Sequence, residues 1–406
     1  MNRNNMQQES KTGIGLSKLT TLIFAAAAGL SIANIYYAQP LLDAMARDFG
    51  ISPSSIGFVV TLTQLGYALG LIFLVPLGDI IDRRRLVIGQ GVLSVFALIG
   101  VAIAQTEAVL FVCLATMGLL AVVVQVLVAA AATLATPEER GKTVGIVTSG
   151  VVIGILAARF IAGMLADFGG WRAVYLTSAI LTAAMVGLLM RVLPRQDSPA
   201  DTDSYAATLR SIPVLFLRDK ILLVRGILAL LVFATFSTFW TALVLPLSTA
   251  PFSYSHTQIG LFGLVGLAGA IAAAGAGKLS DNGHEQRVTG FSLALLLASW
   301  GLIAFLPKSI SALLVGVVLL DLAVQAVHVT NQSIIFGRHT NARSRLVGGY
   351  MVFYSIGSAI GAITSTMAYA QAEWLGVSIL GAGFSFVALL VWGTTLHLPI
   401  KAIKSE

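Results

Sequence analysis

The sequence predicts an all-α integral membrane fold of twelve transmembrane helices, arranged as two six-helix pseudo-repeats. Three observations carry this: a composition that water cannot solvate, twelve apolar runs of spanning length, and a fixed offset relating the two halves. Of 406 residues, 57% are hydrophobic and 11% charged, less than half the roughly 25% charge of soluble domains. A soluble fold of this size cannot bury so much apolar surface, because buried area grows too slowly with chain length.

A span needs about 20 apolar residues to cross roughly 30 Å of hydrocarbon. Runs at 19–42, 56–77, 86–104, 109–132, 143–165 and 173–190 qualify as spans one to six, and runs at 221–245, 259–277, 289–306, 312–336, 347–368 and 375–396 as spans seven to twelve. The longest polar stretch, 194–220, divides them. The expected organisation is therefore a tail (1–18), a six-helix bundle (19–193), a linker (194–220), a second bundle (221–398) and a tail (399–406). The first 18 residues are polar and the run after them is too long for a signal-peptide core, so it is expected to stay as span one.

The net charge of +7 lies in short clusters between the apolar runs, which argues against a nucleic-acid partner. With the N-terminus cytoplasmic, twenty Lys and Arg residues fall on that side and three (Arg47, Arg172, Lys308) on the other. The positive-inside rule then puts both termini in the cytoplasm, in a bacterial inner membrane. The single cysteine, Cys113, excludes an internal disulfide and a cysteine metal cluster and reads as a small hydrophobe.

The halves repeat. Ile56-Gly57 recurs as Ile259-Gly260, 203 residues on; Leu77-x-Asp79 recurs as Leu279-x-Asp281, at 202; Arg140 recurs as Arg343, at 203. Parallel repeats of this kind characterise transporters whose halves rock about a central site.

These residues carry a resemblance. The segment Leu77-Gly78-Asp79-Ile80-Ile81-Asp82-Arg83-Arg84-Arg85 resembles the G-x-L-x-D-R-x-G-R-R loop of the major facilitator superfamily. With Tyr36-Tyr37-Ala38-Gln39-Pro40-Leu41-Leu42, Gly154-Ile155-Leu156-Ala157-Ala158-Arg159, Trp171-Arg172, Asn331-Gln332 and Ala342-Arg343-Ser344-Arg345, the chain from about Leu19 to Leu398 looks like the YgaY-like inner-membrane transporters near the drug:proton antiporter branch. The resemblance implies the major facilitator fold and alternating access. It also implies that the loop with Asp79, Arg83 and Arg84, repeated at Asp281, latches the cytoplasmic side. Val75, Ile80 and Asp82 depart from the loop pattern, Leu114 stands where that branch carries a span-four arginine, and no proline follows Gly154.

Four strongly ionisable groups fall inside the spans: Arg159, Arg225, Asp321 and His328. A charge there costs about 2.5–3.5 kcal/mol and normally faces a cavity or a partner. Asp321 lies nine residues into span ten, near the midplane at about 1.5 Å per residue. Gln325, His328 and Gln332 follow on the same helix face. Asp321 is the candidate site for a proton or a cationic substrate, with His328 as a second titrating group; the alternative is a polar clamp between helices. Arg159 either pairs with Asp321 or an anionic substrate or snorkels outward, and Arg225, four residues into span seven, reads as snorkelling to the cytoplasm.

Candidate cavity residues are Asn34, Tyr36, Tyr37 and Gln39 in span one, bent by Pro40, with Trp240 opposite in span seven, and Gln64, Gln125, Gln325, Tyr350 and Tyr354 elsewhere. The alternatives are the interfacial aromatic belt and polar helix-to-helix contacts. Gly145, Gly150 and Gly154 are expected to let span five approach a neighbour. There is no HExxH, nucleophile elbow or P-loop, so the chain reads as neither enzyme nor ATP-driven pump and needs no cofactor, catalytic residue or metal. The expected function is proton-coupled efflux of a small organic molecule by a monomer in the lipid bilayer. The alternative is a passive facilitator or importer of the same fold.

Overall fold

The computed structural model describes residues 16–136, 139–194, 205–273, 283–338 and 343–398, and every regular element among them is helical. Nine helices among the described residues are long and apolar enough to cross a membrane. Two of them each hold two spans. Arg140–Val192 breaks at Gly170, whose φ of 76° falls in the left-handed region that favours glycine; Arg343–Thr394 breaks at Ala372 and Glu373. The shorter apolar helix His256–Ala272 supplies span eight, giving twelve crossings. An even number leaves Leu16 and Leu398, the first and last described residues, on one side, termed here the terminal side; the other is the distal side.

Local rules explain the helix ends. Span one runs Lys18–Tyr36, capped by Ser17 Oγ, which accepts from the Thr20 amide at 3.1 Å. It breaks before a 3-10 turn, Gln39–Leu41, because Pro40 has no amide hydrogen to donate, and the short helix Leu42–Phe49 follows. Span two is Phe58–Phe73. Span three, Arg83–Ile103, is capped by Asp82, whose Oδ1 accepts from the Arg84 amide at 3.0 Å. An aspartate thus stands at a place where the resembled loop has glycine because here it closes a helix N-terminus. Span four is split into Glu107–Leu120 and Val123–Leu134. Spans seven, nine and ten are Lys220–Ala242, Glu285–Ile303 and Ile310–Arg338. Within the expected linker, Tyr205–Arg218 is helical, and the Tyr205 hydroxyl donates to the Phe73 carbonyl at 2.8 Å.

Lipid tails supply no hydrophobic drive between helices, so association depends on close backbone approach. Gly150 and Gly154 lie against the Ala25 and Gly29 backbone of span one, as expected for span five, whereas Gly145 faces open space. Spans seven and eleven repeat the arrangement: Gly357 and Gly361 lie against the Leu230 and Ala234 carbonyls, and Gly357 follows Gly154 by the same 203 residues.

Contacts between spans one to six and spans seven to twelve run from the distal surface to mid-membrane. Thr366 Oγ1 donates to Ser54 O (3.0 Å), Thr61 Oγ1 to Ala359 O (2.9 Å) and Ser355 Oγ to Gln64 O (2.9 Å). The Tyr36 and Tyr354 hydroxyls meet below them. Nearer the terminal side, the Tyr205 hydroxyl ties the linker helix to the end of span two. The distal side is closed.

Candidate functional site

Where the two sets of spans meet at mid-membrane, Arg159 from span five and Asp321 from span ten come together around Trp240 of span seven. Arg159 is 2% exposed and Asp321 1%. The guanidinium lies over the Trp240 ring, 4.0 Å from Cζ to the centroid, with Tyr36 at 5.2 Å and Phe236 at 5.4 Å. The edge of the same indole donates from Nε1 to Asp321 Oδ1 at 3.3 Å. One aromatic ring therefore separates cation and carboxylate, holding the first by its negative face and the second by its positive edge.

Their remaining atoms are answered unequally. Arg159 Nε donates to Gln39 Oε1 at 2.9 Å, an acceptor delivered by the turn at Pro40, and Nη1 donates to the Ile155 carbonyl at 3.3 Å. Arg159 Nη2 and Asp321 Oδ2 are buried without a hydrogen-bond partner. Buried polar atoms are nearly always paired, and an unpaired one costs about 1–3 kcal/mol, more when charged. A small cavity opens beside Arg159, lined by Gln39, Pro40, Trp240, Leu243, Val244 and Ile259.

Span eight makes room for both groups. Gly260, Gly263, Gly266 and Gly269 recur every third residue, and a Cβ on Gly266 would collide with Asp321 Oδ2, while one on Gly263 would press Leu156 O at 2.8 Å. Neither Gly266 nor Phe236 was among the sequence candidates. The run of four glycines was a readable signal for a close-packed helix face, but Phe236 had none beyond its i, i+4 spacing to Trp240.

The other candidates sort by partner. Tyr36, Gln39, Trp240 and Tyr354 join Arg159 and Asp321 at the interface. Tyr354 also packs against Phe233, ring centroids 3.8 Å apart, and Phe233 meets His328 edge to face at 5.3 Å, so an aromatic wall continues toward the terminal side. His328 Nδ1 meets the Tyr350 hydroxyl at 3.0 Å and its Nε2 meets Gln332 at 3.2 Å. Gln325 is half-buried. Gln64 faces Ser355 across the interface. Asn34, Tyr37 and Gln125 are engaged within spans one to six, by Ser178 (2.6 Å), by the Tyr175 ring and by Tyr67 (3.2 Å).

Arg225 corrects the sequence reading. It does not snorkel: it is 3% exposed and donates to Thr289 Oγ1 (3.0 Å), Asn331 Oδ1 (3.2 Å) and Gln286 Oε1 (3.4 Å). In the loop candidates, Arg83 donates to Gly78 O (3.2 Å) and Thr133 Oγ1 (2.6 Å), and Arg84 to Met190 O. The Asp79 side chain and Asp281 lie outside the described residues.

At the distal surface a second polar cluster joins the two sets of spans, and no sequence signal pointed to it. His256 opens span eight; its Nε2 meets Asp43 Oδ1 at 3.0 Å and its Nδ1 meets Asp167 Oδ1 at 3.2 Å. Asp167 also accepts from the His256 and Thr257 amides at 3.1 and 2.8 Å, so its carboxylate caps the helix N-terminus. The hydrogen bond to Asp43 raises His256 above its usual 6.5, against burial and helped by Asp167. Burial alone would raise Asp167, but hydrogen bonds from Thr257, Ser255 and the His256 backbone bring it to about 2.

The sequence profile of the Major Facilitator Superfamily matches residues 22–307 and 226–405. The chain is 46% identical to the uncharacterized transporter YgaY of Escherichia coli O157:H7 over 382 residues, 94% of this chain and 97% of that one. It is 26% identical to the inner membrane transport protein YnfM of Escherichia coli K12 over 388 residues, 95% and 92% of the two chains. Among solved structures, a bacterial homolog of the human lysosomal transporter Spinster superposes with a TM-score of 0.77 at 12% identity, covering 95% of this chain and 98% of the other. The nucleoside transporter NupG gives 0.74 at 14% identity, covering 92% and 99%.

Proposed function

The chain belongs to the major facilitator superfamily, and from that premise we propose that it is a secondary active transporter exporting a small organic molecule by alternating access, driven by protons. It is a multi-pass membrane transporter of the superfamily type. In this reading the terminal side is the cytoplasm of a bacterial inner membrane, as the twenty-to-three distribution of Lys and Arg supports.

The observation that carries the proposal is Asp321: a carboxylate 1% exposed at mid-membrane, with Oδ2 unpartnered, on the surface between the two sets of spans. A carboxylate so desolvated is at lowest cost when it carries a proton or meets a cation. Rocking of one bundle against the other opens the site to one side at a time. With the distal side closed, the site is positioned to take cargo from the cytoplasm. Release outward requires the distal contacts at Ser54, Thr61 and His256 to part while the terminal side closes. The loop at Asp82–Arg85 and the Tyr205 tether sit where that closure happens.

Purified protein in liposomes with an imposed pH gradient and an internal pH-sensitive dye tests the coupling. Substrate-triggered proton flux is expected in the native protein and its loss in Asp321→Asn. Uphill transport surviving that substitution removes Asp321 as the coupling site. The second reading, a passive facilitator or importer, draws on Leu114 in span four and the absence of a proline after Gly154, two departures from the antiporter pattern. It expects Asp321→Asn to spare downhill exchange.

A further inference from the structure

Arg159 and Asp321 are opposite charges, both fully buried, that share Trp240 and form no ion pair with one another; each has one unanswered polar atom. A direct pair would satisfy both, yet the indole stands between them. A ligand bearing a single charge would answer one group and leave the other as an uncompensated charge in a medium of low dielectric. A ligand bearing both charges answers the two together.

We propose that this site takes a small zwitterion, an α-amino carboxylate with an apolar or aromatic side group. Its carboxylate accepts from Arg159 Nη2. The guanidinium suits that role because its fork is already oriented by Gln39 and the Ile155 carbonyl. Its ammonium donates to Asp321 Oδ2, the oxygen that Gly266 leaves uncovered by a Cβ. The side group lies along Phe236, Phe233 and Tyr354, the wall that leads from the charged pair toward the terminal side. A carbohydrate finds too few neutral hydrogen-bonding groups here, since the polar atoms left open are both charged.

This rests on the exporter reading and sharpens it. If Asp321 holds a proton when the site is empty, the arriving ammonium and that proton compete for one carboxylate, and exchange follows from their exclusion of each other.

The test is counterflow and proton flux in proteoliposomes with four probes of matched shape: L-phenylalanine, L-leucine, phenethylamine (ammonium only) and 3-phenylpropionate (carboxylate only). The native protein is expected to exchange the two amino acids roughly 10- to 100-fold faster than either single-charge analogue, the range set by a hydrogen bond to a charged group. Arg159→Gln is expected to lose the amino acids and retain phenethylamine, which also shows that the variant folds. Equal transport of L-phenylalanine by the native protein and Arg159→Gln overturns the zwitterion assignment and leaves proton coupling standing. Amino-acid exchange with no proton flux supports the assignment and overturns the coupling. No exchange of either amino acid by folded native protein overturns the assignment.

Discussion

Two arginines lie buried in this membrane protein, and their surroundings differ in kind. Arg225 is enclosed by neutral acceptors on two helices, Gln286 and Thr289 on span nine and Asn331 on span ten, all within one set of spans. Arg159 sits between the two sets, stacked on Trp240, with one nitrogen unanswered and a carboxylate beyond the ring. A fully answered charge holds helices in place, because any movement breaks hydrogen bonds that lipid cannot replace. A charge with an open position, at a surface where bundles part, is placed to bind and release. Burial and residue type are equal in the two cases, and position and satisfaction separate them.

Methionine substitution breaks the comparison most sharply. Arg159→Met is expected to reduce transport by roughly 100-fold, as for a lost charge-assisted contact, with a smaller loss of thermal stability in detergent than Arg225→Met. Arg225→Met is expected to lower stability by about 1–3 kcal/mol, since it strands buried acceptors, with exchange retained. Identical behaviour of the two variants sinks the distinction.

A glycine substitution in span eight gives a smaller effect. Gly266→Ala puts a Cβ onto Asp321 Oδ2 and is expected to slow transport by roughly tenfold through displacement of the carboxylate. Gly301→Ala, where nothing lies within 4 Å, is the control and should match the native protein.

The smallest expected effect concerns pH and the distal cluster. His256 has a raised pKa in the closed form, so the closed form gains stability from its protonation. That gain is complete below the ordinary 6.5 and fades as pH rises through the raised value. Asp167, at about 2, stays ionised throughout, and Asp43 is held between His256 and Arg47. Spin labels at the distal ends of spans two and eleven should therefore report more opening on going from mildly acid to alkaline medium. His256→Asn is expected to flatten that dependence. A slope unchanged in His256→Asn assigns the dependence to another group.

Much of this was legible in the chain before folding. Asp321 stood out as a lone acid in an apolar run, and Pro40 as a break that presents Gln39. Arg225 was misread because depth along a helix was counted without its facing: the residue is near a membrane surface by number, yet its side points at spans nine and ten. Phe236 and the His256 cluster were hidden for a related reason. Asp43, Asp167 and His256 lie on three helices and are neighbours through the packing that closes the distal side.

The sequence by itself determined the solvent, the number of crossings and the duplication. These follow from hydropathy, length and spacing, which are properties of the chain read in order. It also supplied the charges that membrane burial makes costly. Tertiary structure alone decided which of those charges are answered, because an acceptor for a buried arginine comes from a helix 64 or 106 residues away (Thr289 and Asn331 for Arg225). It likewise decided that a single indole would hold Arg159 and Asp321 apart. Hydrogen bonds act over about 3 Å in space, and no order of residues along a chain specifies that distance until the helices have packed.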